Sequence, residues 1–314
     1  MKEKTVKQIE NMKKQTIGVE IEMANISRER AIRTVGKFFE SNPTFMREYD
    51  SYDSYIYKDP KGRTWRVMRD SSIQARRDSE KAELVTPILK YEDIEDLQEI
   101  VRQLRHAGAI SNPEHGCGVH IHIGADGHTP QTLRNLANMM ASHEELLIDA
   151  LTLDQARVRT YANVVDKAFL KSINLYKPTT MAKLADLWYA GSYGSRSAHY
   201  NRSRYRMLNL HSTFTKGTIE FRLFQFDNPT DERKGGLHAG QLKSFIQLCL
   251  ALSQMAKEVK IASCKPQQKE NKKYAMRTWL LRLGFIGDEF KTARKVLTDR
   301  LSGNTAFRQA GVQA

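Results

Sequence analysis

The chain has 314 residues, 40% of them hydrophobic and 27% charged, with a formal net charge of +14. That length can bury one large core, or a main domain with a smaller appendage. No apolar run approaches the roughly 20 residues of a membrane span, the first residues lack the apolar core of a secretory signal, and three cysteines (Cys117, Cys249 and Cys264) form no disulfide framework. A cytoplasmic protein with reduced thiols is the expectation. The 50 basic residues against 36 acids favour an acidic partner such as a nucleotide, a nucleic acid or a polyanionic surface.

Thr16 to Asn25 alternates apolar and polar too regularly for a helix. Ile17, Val19, Ile21 and Met23 fall on one face of a strand, and Glu20 and Glu22 share the other, roughly 7 Å apart. Like charges that close require a proton or a cation between them. Taken alone, the segment also fits a half-solvated strand that happens to carry two glutamates. Ser27 to Glu40 reads as a capped helix with Ile32, Val35, Phe38 and Phe39 at helical spacing. Tyr49 to Tyr57 reads as an irregular strand or loop, Asp59 to Gly62 as a tight turn, and Thr64 to Met68 as the strand that follows. Asp70 to Ile73 and a charged loop lead to Ala82–Ile88, where Glu83 interrupts a β-favouring run; a buried role and a solvent-facing strand edge are both open to it.

Tyr91 to Ala107 is a periodic helix stopped by Gly108, with acids early and bases late, as the helix dipole favours. Gly118 to Gly124 is a second alternating strand, with Val119, Ile121 and Ile123 on one face and His120 and His122 on the other. Cys117 beside it reads as a packing residue. Pro130 to Leu153 is a long helix on which His143 and Glu144 read as surface positions. Two or three shorter helices follow between Ala156 and Leu187. The Gly-, Ser-, Tyr- and Arg-rich segment Gly191–Arg204 is either a solvated connection or a lid over an anionic substrate. Tyr205 to His211 reads as a strand in a hairpin with Gly217–Phe224, which carries Glu220 and Arg222 opposite Ile219, Phe221 and Leu223. Leu237 to Val259 is helical, Cys264 to Lys273 a polar linker, and Tyr274–Leu283 and Phe290–Leu301 short basic helices. If the apolar faces of the three alternating strands share one core, their ionisable faces share one surface, suited to a divalent metal and phosphate. There is no Gly-rich phosphate loop.

Four segments in order, Gly18-Val-Glu-Ile-Glu22, Glu83-Leu-Val-Thr-Pro-Ile-Leu89, Cys117-Gly-Val-His-Ile-His122, and Leu208-Asn-Leu210 followed by Thr218-Ile-Glu-Phe-Arg-Leu-Phe224, resemble the amidoligase family. That family stands with the glutamine synthetases and glutamate–cysteine ligases. The likeness runs from about Thr16 to Phe226, and Arg277 to Gly287 resembles the tail of bacteriophage amidoligases, which implies a host cytoplasm. The resemblance implies an α+β fold of the glutamine synthetase-like type, a curved, mainly antiparallel sheet with inserted and C-terminal helices. It implies a catalytic domain over residues 1–230 and a basic helical extension over 231–314. It further implies an ATP-dependent carboxylate–amine ligase that works through an acyl phosphate with Mg²⁺ or Mn²⁺. The implied metal ligands are Glu20, Glu22, Glu83, His120 and Glu220. His122, Asn209, Arg206 and Arg222 are the implied ATP or substrate contacts, with Arg222 on phosphate and with Glu220 and Glu83 at the chemistry. The ammonia-site and amino-acid-site signatures of glutamine synthetase itself are not recognisable, so glutamine synthesis is not implied. Two other readings stay open: a basic nucleic-acid or virion-associated binding protein on a degenerate ligase fold, and a metal-dependent amide hydrolase using His120, His122 and the carboxylates.

Overall fold

In the computed structural model, residues 3–192, 194–231, 235–266 and 270–306 are described. Residue 193 of the Gly191–Arg204 segment and residues 267–269 of the polar linker lie outside them, as does the end of the expected C-terminal extension. The elements in order are α1 (Glu3–Lys13), β1 (Ile17–Met23), α2 (Arg28–Phe39), β2 (Phe45–Arg47), β3 (Tyr55–Lys58), β4 (Thr64–Met68), β5 (Ala82–Val85), α3 (Ile94–His106), β6 (Val119–Gly124), α4 (Pro130–Leu151) and α5 (Gln155–Thr160). They continue with α6 (Lys167–Tyr176), α7 (Met181–Trp188), β7 (Leu208–Asn209), α8 (His211–Lys216), β8 (Thr218–Phe224), α9 (Ala239–Glu258), α10 (Lys272–Arg282) and α11 (Lys291–Thr298). The strands form one sheet in the order β2-β3-β4-β5-β1-β6-β8-β7, and the pairs β1–β5, β2–β3, β3–β4, β4–β5 and β7–β8 are antiparallel. The α+β expectation holds. Among the described residues no helix is long and apolar enough to cross a membrane.

The chain divides into two units, and β6 and β8 each pass from one to the other. The strand-rich unit comprises Thr16–His122 and Leu223–Lys243. Its helices α2 and α3 pack on one another, and α2 also packs on β3, β4 and β5. Ala31, Ile32 and Val35 of α2 and Leu97, Val101 and Leu104 of α3 are fully buried. The registers Ile21↔Leu84 and Val67↔Leu84 put the apolar residues of three strands on one side. By strand alternation the acids lie on the other. Ser27 caps α2 by accepting the Arg30 amide, as its place before the apolar periodicity predicts.

A charged knot holds the β3–β4 turn to the start of α3. Asp93 accepts from Lys61 Nζ (2.9 Å), Arg63 Nη1 (2.8 Å) and the Lys90 amide (2.9 Å), and Asp59 accepts from Arg63 Nε (2.8 Å) and Trp65 Nε1 (3.1 Å). Burial alone raises the Asp93 pKa, but the Arg63, Lys90 and Lys61 donors outweigh it and bring it down to about 2. A depressed carboxyl contributes stability above its unfolded value, and that stability is lost as pH falls through the folded one. Asp93→Asn is therefore expected to cost on the order of 2 kcal/mol at pH 7 and to flatten the acid dependence between about pH 4 and 2. Urea unfolding of both proteins at pH 7 and pH 3 checks this; an unchanged midpoint at pH 7 contradicts it.

The helix-rich unit comprises Met1–Gln15, Ile123–Arg222 and Ser244–Ala314. Its helices depart from the sequence reading at α4, where His143 is buried, its ring stacked 3.9 Å from Trp279, and Glu144 is half-buried, accepting the Val165 amide. Trp279 of α10 covers His143, a contact that α4's own sequence does not record. The expected strand from Tyr205 to His211 is only Leu208–Asn209, paired Leu208↔Phe221 and Asn209↔Glu220. It stops there because the Asn209 side chain accepts the His211 amide (2.9 Å) and turns the chain into α8. Gly217, at φ +71°, ends α8 and starts β8.

Candidate metal and phosphate-binding residues

In the strand-rich unit, Glu22 of β1 lies directly opposite Glu83 of β5. Both are buried, at 4% and 8% exposure. Cross-strand partners have Cβ atoms about 5 Å apart, so two carboxylates here repel unless something positive lies between them. Glu83 also opposes Met68 of β4. Two residues beyond Met68, on the same alternation, comes Asp70. One oxygen each of Glu22, Asp70 and Glu83 lies within 4.8 Å of the others, and the same holds for donor atoms of Glu20, Glu83 and His120.

The imidazoles of β6 lock this cluster together. His120 Nδ1 is 3.0 Å from Glu20 Oε2, and its Nε2 is 3.7 Å from Glu22 Oε1. His122 Nε2 is 3.2 Å from Glu20 Oε1. The Gly118 amide donates to Glu22 Oε2 at 2.5 Å, and the Glu22 amide donates to the Gly118 carbonyl at 3.1 Å. Burial opposes charge on Glu20, yet His122 and His120 hold its carboxyl well below the usual carboxylate range. The strand is aimed by the turn before it: Asn112 accepts the His115 amide, and Gly116, at φ +69°, takes the left-handed conformation that a side chain resists. A Cβ on Gly116 would come 3.1 Å from the Ser72 carbonyl, so the same glycine admits the Asp70 loop. Cys117 beside it is fully buried, as its reading as a packing residue requires.

Four acids and two imidazoles are a hard, oxygen-rich donor set. It fits Mg²⁺ or Mn²⁺ better than the compact tetrahedral site that zinc takes. Glu20, Glu22, Glu83, His120 and His122 are thus brought together. Asp70 is an addition that sequence reasoning missed, because its turn (the Ser72 amide and hydroxyl both donate to its Oδ1 at 2.6 Å) reads as ordinary loop chemistry. The signal that finds it is the continuation of the β4 alternation through Met68.

In the helix-rich unit, Glu220 and Arg222 sit on one face of β8. Arg222 Nη1 donates to Glu220 Oε1 at 2.5 Å, and Asn209 Nδ2 donates to Glu220 Oε2 at 2.6 Å. All three are buried. The Arg222 guanidinium lies 5.8 Å from the Tyr205 ring centroid, and Arg157 donates to the Arg222 carbonyl at 3.2 Å. Arg157 and Tyr205 had no role in the sequence reading, since neither lies on an alternating strand. Arg206 is engaged elsewhere, with Asp166 (2.9 Å) and the Val164 carbonyl (3.2 Å).

Comparison with known proteins returns one family model, described as "Putative amidoligase enzyme", over residues 13–253. No curated protein matches. Among solved structures, a bifunctional glutathione synthetase from Pasteurella multocida aligns with 94% of this chain at 13% identity and a TM-score of 0.47. The chain spans about half the length of that protein, 48%.

Proposed function

Because this chain belongs to the amidoligase family, we propose that it joins a carboxylic acid to an amine at the expense of ATP, through an acyl phosphate. The observation that supports this best is the buried Glu22–Glu83 opposition with Asp70, Glu20 and His120 around it, whose donor atoms lie close enough to share a divalent cation. Glu20, Glu22, Asp70, Glu83 and His120 would hold Mg²⁺ or Mn²⁺. When bound, the metal supplies positive charge against the phosphate oxygens.

A free carboxylate is a poor acyl donor. Transfer of the γ-phosphoryl group from ATP to a carboxylate oxygen releases ADP and leaves a mixed anhydride. The amine nitrogen then attacks the acyl carbon, the C–O bond to phosphate breaks, inorganic phosphate leaves, and the amine proton passes to a carboxylate of the site. Phosphoryl transfer depends mainly on position and charge neutralisation. We assign the second task to Arg222, whose orientation Glu220 and Tyr205 fix, and ATP or substrate contacts to His122 and Asn209. The net charge of +14 favours the approach of anionic substrates.

The test uses the full chain, ATP, Mg²⁺ and mixed small acids with hydroxylamine, which traps an acyl phosphate as a hydroxamate. ADP release and hydroxamate formation that both depend on acid and metal are expected. Amide cleavage without ATP would instead place the protein among metal-dependent hydrolases, and salt-sensitive duplex binding with no ATP turnover would make it a nucleic-acid binder on a ligase fold.

A further inference from the structure

The helix-rich unit holds a cavity of about 220 Å³ against Glu220. Its floor is built: Asn209, His211, Ser212 and Glu220 are all at least nine-tenths buried. The Tyr189 hydroxyl and His211 Nδ1 are 2.5 Å apart, and the His211 amide is tied to Asn209. The imidazole and the Asn209 amide therefore meet a ligand already positioned.

Its walls are cationic. Arg204 and Lys216 both line it. The Arg204 guanidinium is carried 5.4 Å from the Tyr200 ring centroid and 5.8 Å from that of Tyr205, and its Nη1 donates to the His199 carbonyl at 3.1 Å. Neither Arg204 nor Lys216 pairs with a carboxylate among the described residues. The one acid in the lining, Glu220, is paired with Arg222, which offsets part of its charge without removing it. Two cations, an imidazole, an amide and a hydroxyl around a small hole make a receptor for an oxyanion.

Size and charge narrow the ligand further. Pockets for drug-sized ligands run about 300–1,000 Å³, so this one takes a small acid or the end of one, and not a nucleotide. The Glu220 carboxylate in its wall repels a dianionic phosphate more than a monoanionic carboxylate. We infer that this cavity seats a carboxylate of the acid substrate, and that the substrate is a small aliphatic acid of amino-acid or short dicarboxylate size. The identification of the ligand as the acid substrate rests on the ligase reading. It also gives the Gly191–Arg204 segment its place, as the wall that brings Arg204 to the anion.

The test is isothermal titration of the full chain, without ATP, using acetate, succinate, glutarate, neutral succinamide and inorganic phosphate. Saturable binding of succinate or glutarate is expected, with none for succinamide. Arg204→Gln and Lys216→Gln should each weaken binding about fivefold and the double variant more than tenfold, while Arg204→Lys retains most of it; circular dichroism confirms that each variant is folded. Preference for phosphate over every carboxylate, equal binding of succinamide, no saturable carboxylate binding, or full carboxylate affinity in the folded double variant overturns the inference. Because no turnover is required, failure of the ligase reading shows separately, as absent hydroxamate with carboxylate binding intact.

Discussion

Glu83→Gln is expected to abolish ATP turnover, with a loss of at least about a thousandfold in ADP release, and to remove stabilisation by Mg²⁺. Glu83 is the carboxylate common to both donor groups, facing Glu22 across β1–β5 and lying near Asp70, Glu20 and His120. A neutral amide there weakens the grip on a hard dication from both directions. The protein itself should not suffer, since the variant removes one of two opposed buried charges. The apo variant is therefore expected to unfold at the same temperature as the apo wild type or higher, whereas added Mg²⁺ raises only the wild-type midpoint, as binding to the folded state requires. Glu20→Gln should behave the same way in turnover. An Mg²⁺-dependent rise of equal size in the Glu83 variant would falsify the ligand assignment whatever the activity shows.

Arg222→Lys is expected to lower kcat by roughly a hundredfold or more, in the range that follows removal of a preorganised charge partner. Lysine keeps the charge but loses the planar fork that meets Glu220 and faces the Tyr205 ring. Stability should also fall, by on the order of 2–3 kcal/mol, because Glu220 is buried and would lose a closely fitted partner. The two effects separate in a comparison with Glu220→Gln. Removing both charges as Glu220→Gln with Arg222→Met should recover stability without recovering ADP release. Near-wild-type turnover in folded Arg222→Lys removes this side chain from phosphate contact.

Much of the strand-rich unit was legible because period-two alternation is a physical consequence of the pleat. Ile17, Val19, Ile21 and Met23 are all buried as their spacing requires, and Glu20, Glu22, His120 and His122 meet as their shared parity predicts. What alternation cannot give is register. The direct facing of Glu22 and Glu83 depends on which residues pair across β1–β5, and nothing local in either segment specifies that. Asp70 was missed for a related reason: its strand has formally ended, so its side of the sheet follows only once Met68 is known to oppose Glu83. The helix-rich unit was less legible. His143 has a polar name on a helix with a plain apolar stripe, and its burial comes from Trp279, more than a hundred positions away. The break of the β7 strand into α8 turns on a single side-chain acceptor, Asn209, in a segment whose composition reads as extended.

The position of β1 in the sheet also governs when the protein can fold. It is synthesised before both of its neighbours in the sheet, β5 and β6, and the contact between His120 and Glu20 spans 100 positions. At ribosomal rates of about 5–20 residues per second, Ile17, Val19 and Ile21 wait on the order of ten seconds for both partners to emerge. Topologies dominated by such distant pairings close slowly. This buried strand is thus made before both of its partners and sealed late, and a nascent chain halted before β6 presents an apolar ribbon with one edge unpaired, the kind of surface that chaperones hold and that aggregates recruit.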